Sequence, residues 1–339
     1  MAAQGKASIT KVYTIGERLL AFNFNDEVAA RVAGEFIGGM YFTPYPGRAA
    51  RFVDCTVQFF YGAPPPLPPD CQSFEVPRGQ CYTNGTEHFL DIDESRIAVY
   101  AAESRLVSVW LGTTEHARHP VAIINTLSYA VQAALRRGGL YLLHAAGVVE
   151  PETNTGLVVV GNSNSGKSSL TIRLASAGWR YLSDDMLVLG EEDSGKVEAW
   201  ALRRVFSVSS ESLANCRLSE LGAALGAPVN SDPSKRKLDP AIAFPGGFVE
   251  RCLPRVLLFP NLTGERASRT EKLTSGEAMA RLIRQCPWAS YDAATAREHL
   301  RALGLLAKQT TSFLLHAGRD LIEDSSSAPE LLKAACLES

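Results

Sequence analysis

The sequence predicts an α/β core with much antiparallel sheet, preceded by a strand-rich α+β unit. Three observations carry this. A valine-rich run at 156–160 leads through a glycine-rich loop into a helical pattern that Gly178 stops. Short apolar or alternating runs recur through the first 115 residues. Beyond residue 120, helical and extended patterns alternate. The expected division is a strand-rich N-terminal domain, 1–115, serving acceptor or partner recognition, and a second domain over 116–339. A chain of 339 residues exceeds one typical core, so two domains are in keeping with its size.

In the first part, strands are expected at 11–15, 18–24, 56–61, 88–92, 96–101 and 105–111, the last two forming a hairpin around 102–104. The proline-rich stretch 63–69 reads as a stiff surface loop, or as a ligand for a proline-binding domain. A turn-rich joint spans 112–120. A helix follows over 120–137, with proline at its start, Arg136 and Arg137 at its end, and Gly138-Gly139 closing it.

Extended segments are then expected at 140–149 and 156–160. If Val149 pairs with Gly156, the same register sets His144 opposite Gly161. A helix over 168–177 and a strand over 179–183 follow, then a hairpin of 187–189 with 197–202. Further on come a core strand at 255–259, helices at 275–285 and 293–306, a late strand at 311–315 and a terminal helix at 328–336.

Composition excludes several function classes. Lys and Arg number 34 against 36 Asp and Glu, which leaves no electrostatic case for a nucleic acid or an anionic membrane as partner. No run approaches the ~18 uninterrupted apolar residues of a membrane span. The first residues lack the apolar core of a signal peptide. Seven scattered cysteines without a Cys-x-x-Cys pair fit buried, reduced thiols. These readings point to a cytoplasmic protein.

The loop itself, Gly161, Asn162, Ser163, Asn164, Ser165, Gly166, Lys167, Ser168, has the Gly-x-x-x-x-Gly-Lys-Ser spacing of a phosphate cradle. Its backbone N–H groups, the following helix N-terminus and the lysine all favour anionic oxygens. Lys167 is expected on the β- and γ-phosphates and Ser168 on Mg²⁺. Ser165 and Ser169 are expected to hydrogen-bond phosphate oxygens.

The helix after the loop carries the chain ~16 Å away. The extended residues that follow bring it back by ~17 Å. A right-handed crossover makes this strand parallel to 156–160, so Asp184 and Asp185 return to the loop's edge. Consecutive residues leaving a strand point different ways. One carboxylate then faces a metal, and the other accepts a proton from an attacking hydroxyl.

His144 is either a satisfied strand histidine, the partner of Asp184, or a neighbour of the acceptor. Arg203 and Arg204 either contact acceptor or phosphate, or cap a surface. Lys235, Arg236 and Lys237 lie in a polar, loop-like stretch. They are either a mobile basic loop that closes over transferring phosphates or a solvated charge run.

The segment Leu143-His144-Ala-Ala-Gly-Val-Val149, the loop at 161–168 and Ser183-Asp184-Asp185 together resemble the core of the HPr kinase/phosphorylase family. The resemblance covers about 120–325. It implies a P-loop kinase core of the HPr kinase C-terminal type with a mixed sheet, binding ATP and Mg²⁺. It further implies Asp184 as general base towards a serine hydroxyl, Asp185 organising the metal and Lys167, and His144 supporting the catalytic aspartate. Relatives of this kind assemble, so a homo-oligomer is also implied.

The family's Glu-Ile-Arg-Gly segment is not visible, and the corresponding region, 198–206, reads Glu-Ala-Trp-Ala-Leu-Arg-Arg-Val-Phe. The first 115 residues do not resemble the N-terminal domain of the bifunctional enzyme. The chain looks more like the divergent HPr kinase-like proteins found beside peptide- and metabolite-modifying genes.

The expected function is transfer of the γ-phosphate to a hydroxyl of a peptide or small molecule. A nucleotide-binding regulatory module is the alternative. An ATPase ranks last, because no residue is evident to position the attacking water. No base-reading motif separates ATP from GTP.

Overall fold

The computed structural model describes residues 9–25, 27–47, 53–76, 79–92, 95–112, 120–210, 213, 219–229 and 232–338. The N-terminal segment 1–8 and most of the joint at 112–120, with the division at 115, lie outside them.

The chain forms two compact units. One holds 1–140 with 288–299, and the other holds 141–287 with 300–339. The helix at 120–137, placed after the division by the sequence, therefore belongs to the first unit.

The first unit contains β1 (Ile9–Ile15), β2 (Arg18–Phe24), α1 (Glu27–Gly38), β3 (Thr43–Pro44), β4 (Cys55–Tyr61), β5 (Gln72–Val76), β6 (Gly79–Thr83), β7 (His88–Ile92), β8 (Ser95–Val99), β9 (Leu106–Leu111) and α2 (Pro120–Arg137). Its strands form one sheet in the order β3-β1-β2-β4-β9-β8-β7-β6-β5. The expected strands appear there, and β8 and β9 pair antiparallel as the hairpin predicts.

The sequence reading passed over α1, β5 and β6. The buried face of α1 is built largely from Ala29, Ala30 and Ala33, which carry little hydrophobic signal. The residues of β5 are mostly exposed, as an edge strand's are, so no apolar alternation marks it. Arg136 and Arg137 do more than complement the α2 dipole. Arg136 Nε donates to Asp292 at 2.9 Å and Arg137 Nη1 at 3.0 Å. All three are buried, so the carboxylate ties 288–299 to the end of α2.

The second unit begins with β10 (Leu140–Leu143), β11 (Ala145–Val149), β12 (Gly156–Val160), α3 (Lys167–Ser176), β13 (Arg180–Ser183), β14 (Leu187–Glu191) and β15 (Val197–Ala201). It continues with β16 (Phe206–Ser209), β17 (Leu225–Val229), β18 (Asp232–Leu238), α4 (Pro240–Ala243), β19 (Arg251–Cys252), β20 (Pro254–Leu262), β21 (Arg269–Leu273) and α5 (Ser275–Arg284). The stretch 288–299 of the first unit holds α6 (Trp288–Tyr291) and the start of α7 (Ala293–Gln309); the second unit resumes within α7 and ends with β22 (Thr311–Ala317), α8 (Asp320–Glu323) and α9 (Ser327–Leu337).

Three sheets result: β13-β11-β12-β20-β22-β21, β10-β14-β15-β19 and β16-β18-β17. The first mixes directions. β11 lies antiparallel to both β12 and β13, whereas β20 runs parallel to β12 and to β22. The architecture is thus α/β with mixed sheets.

Two expectations are corrected. The single strand at 140–149 is two strands in different sheets, and the chain changes sheet at His144. A continuous apolar run does not reveal that its two halves have different neighbours. The basic triplet at 235–237 lies in β18, the middle strand of its sheet, and not in a loop. Its polar composition hides the strand because much of this small sheet faces solvent.

The register prediction holds through β11 and β12: Ala145 faces Val160 and Val149 faces Gly156. Because β11 separates β12 from β13 and opposes both, β12 and β13 run parallel. Around this sheet lies a core that includes Leu157, Val159, Trp179, Tyr181, Leu258 and Phe313.

Of the described cysteines, 55, 81, 252, 286 and 336 are buried, 71 is half-buried, and all are free. No described helix is long and apolar enough to cross a membrane. Replacing Trp179, only 2% exposed, by alanine should cost about 3–5 kcal/mol. A urea titration followed by far-ultraviolet circular dichroism checks this; an unchanged midpoint would contradict the core assignment.

Candidate functional site

The glycine-rich loop leaves the carboxyl end of β12 and opens α3. Two of its residues, Asn164 (φ 64) and Gly166 (φ 90), are left-handed. This turns the backbone sharply and presents successive N–H groups to one side. Gly166 is the N-cap of α3, with no side-chain cap, so the helix keeps its first-turn donors for another acceptor. A Cβ on Gly161 would stand 2.6 Å from Ser165 Oγ, so a larger residue there would displace that side chain.

Lys167 Nζ donates to the carbonyls of Gly161 (2.9 Å) and Asn162 (3.0 Å), which holds the ammonium within the loop. Burial pushes its pKa down, against the pull of Asp185 and Asp184. Ser165 Oγ is buried without a partner, and Asn162 Oδ1 accepts from Gln285 Nε2 at 2.8 Å.

A cavity of about 550 Å³ lies against the loop. Ser163, Asn164, Ser165, Gly166, Lys167, Ser168 and Ser169 line it; Gly161 and Asn162 do not. Asp185, Ser207, Ser209, Ser234 and Lys235 form a polar wall. Pro260, Leu262, Leu315 and Leu321 form an apolar one.

Both aspartates reach this edge, and they differ sharply. Asp184 is 1% exposed. Its Oδ2 accepts from the Ser207 backbone N–H at 2.9 Å, while Oδ1 has no hydrogen-bond partner. Burial and the charge of Asp185 raise its pKa to about 7. The Ser168 hydroxyl favours the ionised carboxylate, without hydrogen-bond geometry to Oδ1.

Asp185 faces the cavity. His144 Nε2 lies 2.6 Å from its Oδ1 and Arg203 Nη1 lies 3.5 Å from its Oδ2. Burial would raise its pKa, but His144, Arg203 and Lys167 together lower it to about 2. The histidine therefore partners Asp185 and not Asp184, a correction to the sequence reading. The reason is the break between β10 and β11, which leaves His144 outside the ladder just where Asp185 emerges.

The remaining basic residues separate. Arg203 joins the carboxylate pair. Arg204 is exposed and lies off the cavity wall. Lys235 lines the cavity, whereas Arg236 Nε donates to the Gly226 carbonyl at 3.0 Å, within its own sheet. Sequence reasoning missed the Ser207 N–H and the apolar wall. Both arise from strands that are remote in the chain, and no local signal marks them.

A divalent cation suits these residues. An uncompensated buried carboxylate oxygen next to a serine hydroxyl is the hard-oxygen donor set that Mg²⁺ takes together with phosphate oxygens. No described cluster of three His, Cys, Asp or Glu side chains forms a protein-only cage.

No family model matches the chain, and no curated protein resembles it significantly in sequence.

The two carboxylates should titrate oppositely. The neutral form of Asp184 favours folding. That contribution is whole below the unfolded carboxyl value near 4 and is lost as pH rises through about 7. Asp185 contributes stability above the unfolded value, lost as pH falls through about 2. Asp184→Asn should therefore flatten the decline in urea midpoint between about pH 4 and 7. Carboxyl ¹³C shifts should give Asp184 a midpoint near 7 that Mg²⁺ drives lower; a midpoint near 4 without metal would refute the assignment.

Proposed function

We propose that this chain is a metal-dependent kinase with an HPr kinase-like P-loop core. It moves the γ-phosphoryl group of a nucleoside triphosphate to a hydroxyl, serine being the expected type, on a peptide or small molecule. The observation that carries this reading is the carboxylate pair at the loop's edge. One member is buried beside Ser168 with an uncompensated oxygen. The other is ionised and faces the cavity.

The loop N–H groups and the α3 N-terminus bind the phosphates, and Lys167 neutralises the terminal ones. Ser168 and Asp184 are the residues that would hold Mg²⁺. The ion, when bound, supplies positive charge to the phosphate oxygens and keeps Asp184 ionised. The apolar wall of Pro260, Leu262, Leu315 and Leu321 accepts a base without reading its edge, which accommodates ATP or GTP.

Asp185 takes the role of acceptor-side base, in place of Asp184. The acceptor oxygen forms a bond to the γ-phosphorus as the bond from that phosphorus to the β–γ bridging oxygen breaks. The hydroxyl proton passes to Asp185, whose Oδ1 is in contact with His144. A pKa of about 2 keeps this carboxylate ionised at neutral pH. Its weak basicity is tolerable, because phosphoryl transfer has a loose transition state and relies mainly on positioning and charge.

The test is mass spectrometry of candidate hydroxyl acceptors after incubation with the protein, ATP and Mg²⁺, with a gain of one phosphate expected. Asp185→Asn should lower kcat by roughly 10²–10⁴-fold while nucleotide affinity changes little. Lys167→Ala should weaken nucleotide binding itself. Transfer at the wild-type rate by Asp185→Asn would remove its assigned role. Nucleotide binding without transfer to any acceptor in a broad screen would favour a regulatory module.

A further inference from the structure

The second unit contains another cavity, of about 540 Å³, lined in part by Asn154, Arg180, Arg251 and Arg255. It sits where β11 ends at Val149 and β12 begins at Gly156, the end of those strands opposite the glycine-rich loop. A five-residue strand is ~17 Å long, so this cavity and the loop are separate sites. Nothing in the proposed transfer reaction uses it.

Three arginines reach the cavity from three segments: β13, β19 and β20. Their charges are unequally compensated. Arg251 pairs with Glu198 at 3.1 Å and Glu192 at 3.8 Å. Arg180 donates to a neutral group, the amide oxygen of Asn154. That asparagine sits at φ 59 in the turn between β11 and β12, a conformation that costs a non-glycine residue energy. Among the described residues, neither Arg180 nor Arg255 forms an ion pair.

The position of Arg255 is the more informative. β20 is a central strand, and Val256, Leu257, Leu258 and Phe259 are all buried. Its ladder with β12 runs from Gly156↔Pro254 directly to Leu157↔Val256, so Arg255 is the residue left out at a bulge. A bulge re-aims a side chain, and here it turns an exposed arginine out of a buried strand onto the cavity wall. The close approach depends on Gly156, where a Cβ would meet the Leu253 carbonyl oxygen at 2.6 Å.

We propose that this cavity binds the phosphate group of a small phosphorylated molecule, held chiefly by Arg180 and Arg255. Guanidinium forks match phosphate oxygens and stay charged at all working pH values. The volume falls in the range of small-molecule sites and exceeds what a bare phosphate ion fills. The neutral tether on Arg180 orients the guanidinium without cancelling its charge.

The experiment is a residue-resolved NMR titration of the full chain with inorganic phosphate and, separately, glycerol phosphate, at constant ionic strength. Saturable shifts are expected at the amides of Thr153, Asn154 and Thr155 and at the Arg255 Nε–H. Arg255→Ala and Arg180→Gln should each weaken that response at least tenfold, with thermal unfolding showing that both variants fold. Lys167→Ala should leave it unchanged, which separates this site from the glycine-rich loop. Tighter binding of glycerol phosphate points to an ester ligand, and equal binding to the free ion; both support the site. Linear, unsaturable shifts, or shifts indifferent to both arginine substitutions, would overturn it.

Discussion

The antiparallel ladder of β11 on β12 is the constraint from which the site follows. It occupies the position next to β12 that a simple crossover would give to β13. β13 must then pair with the far side of β11, again antiparallel. Two reversals make β12 and β13 parallel, so the glycine-rich loop and the aspartate pair leave the sheet at one edge. The same ladder ends at Ala145, which leaves His144 at that edge too. Without β11 in this place, Lys167, Ser168 and Asp185 would have no common cavity, and Asp184 would not lie buried beside it.

The ladder also explains why two adjacent aspartates behave so differently. Ser183 is still paired, and Asp184 follows it inward to the Ser207 N–H. Asp185, one residue on, faces the cavity and meets His144 and Arg203. Burial with a single backbone donor leaves the first carboxyl poorly solvated and hard to ionise. His144, Arg203 and Lys167 hold the second, which is less deeply buried, ionised against the desolvation that remains. Proton affinities thus diverge across one peptide bond because the two carboxyls have different surroundings.

At the other end of the same strands, local irregularity again carries chemistry. The left-handed turn residue Asn154 and the bulge at Arg255 each bring a polar side chain to one cavity. In the first unit the buried charges form a closed set instead. Asp292 is satisfied by Arg136 and Arg137, and burial lowers the His88 pKa to about 3, so it stays neutral nearby. That cluster has the character of a structural tie, since its carboxylate is held well below the usual range by its own arginines.

Elements whose signals are local are legible in the chain before it folds. The valine run, the glycine loop and the capped helix were legible because periodicity, left-handed glycine positions and helix stops are properties of neighbouring residues. Chain reach was enough to return Asp184 and Asp185 to the loop, and one hairpin register was enough to set His144 beside it. The fold, by contrast, set which aspartate the histidine meets, the division of the run at 140–149 between two sheets, and the place of Lys235 on a strand facing the cavity. It alone supplied the Ser207 donor, the apolar wall from β20 and β22, and the bulged arginine. Each of these depends on which strands become neighbours and how deeply a carboxylate is buried. Those are set by contacts between residues far apart in the chain, which no local pattern encodes.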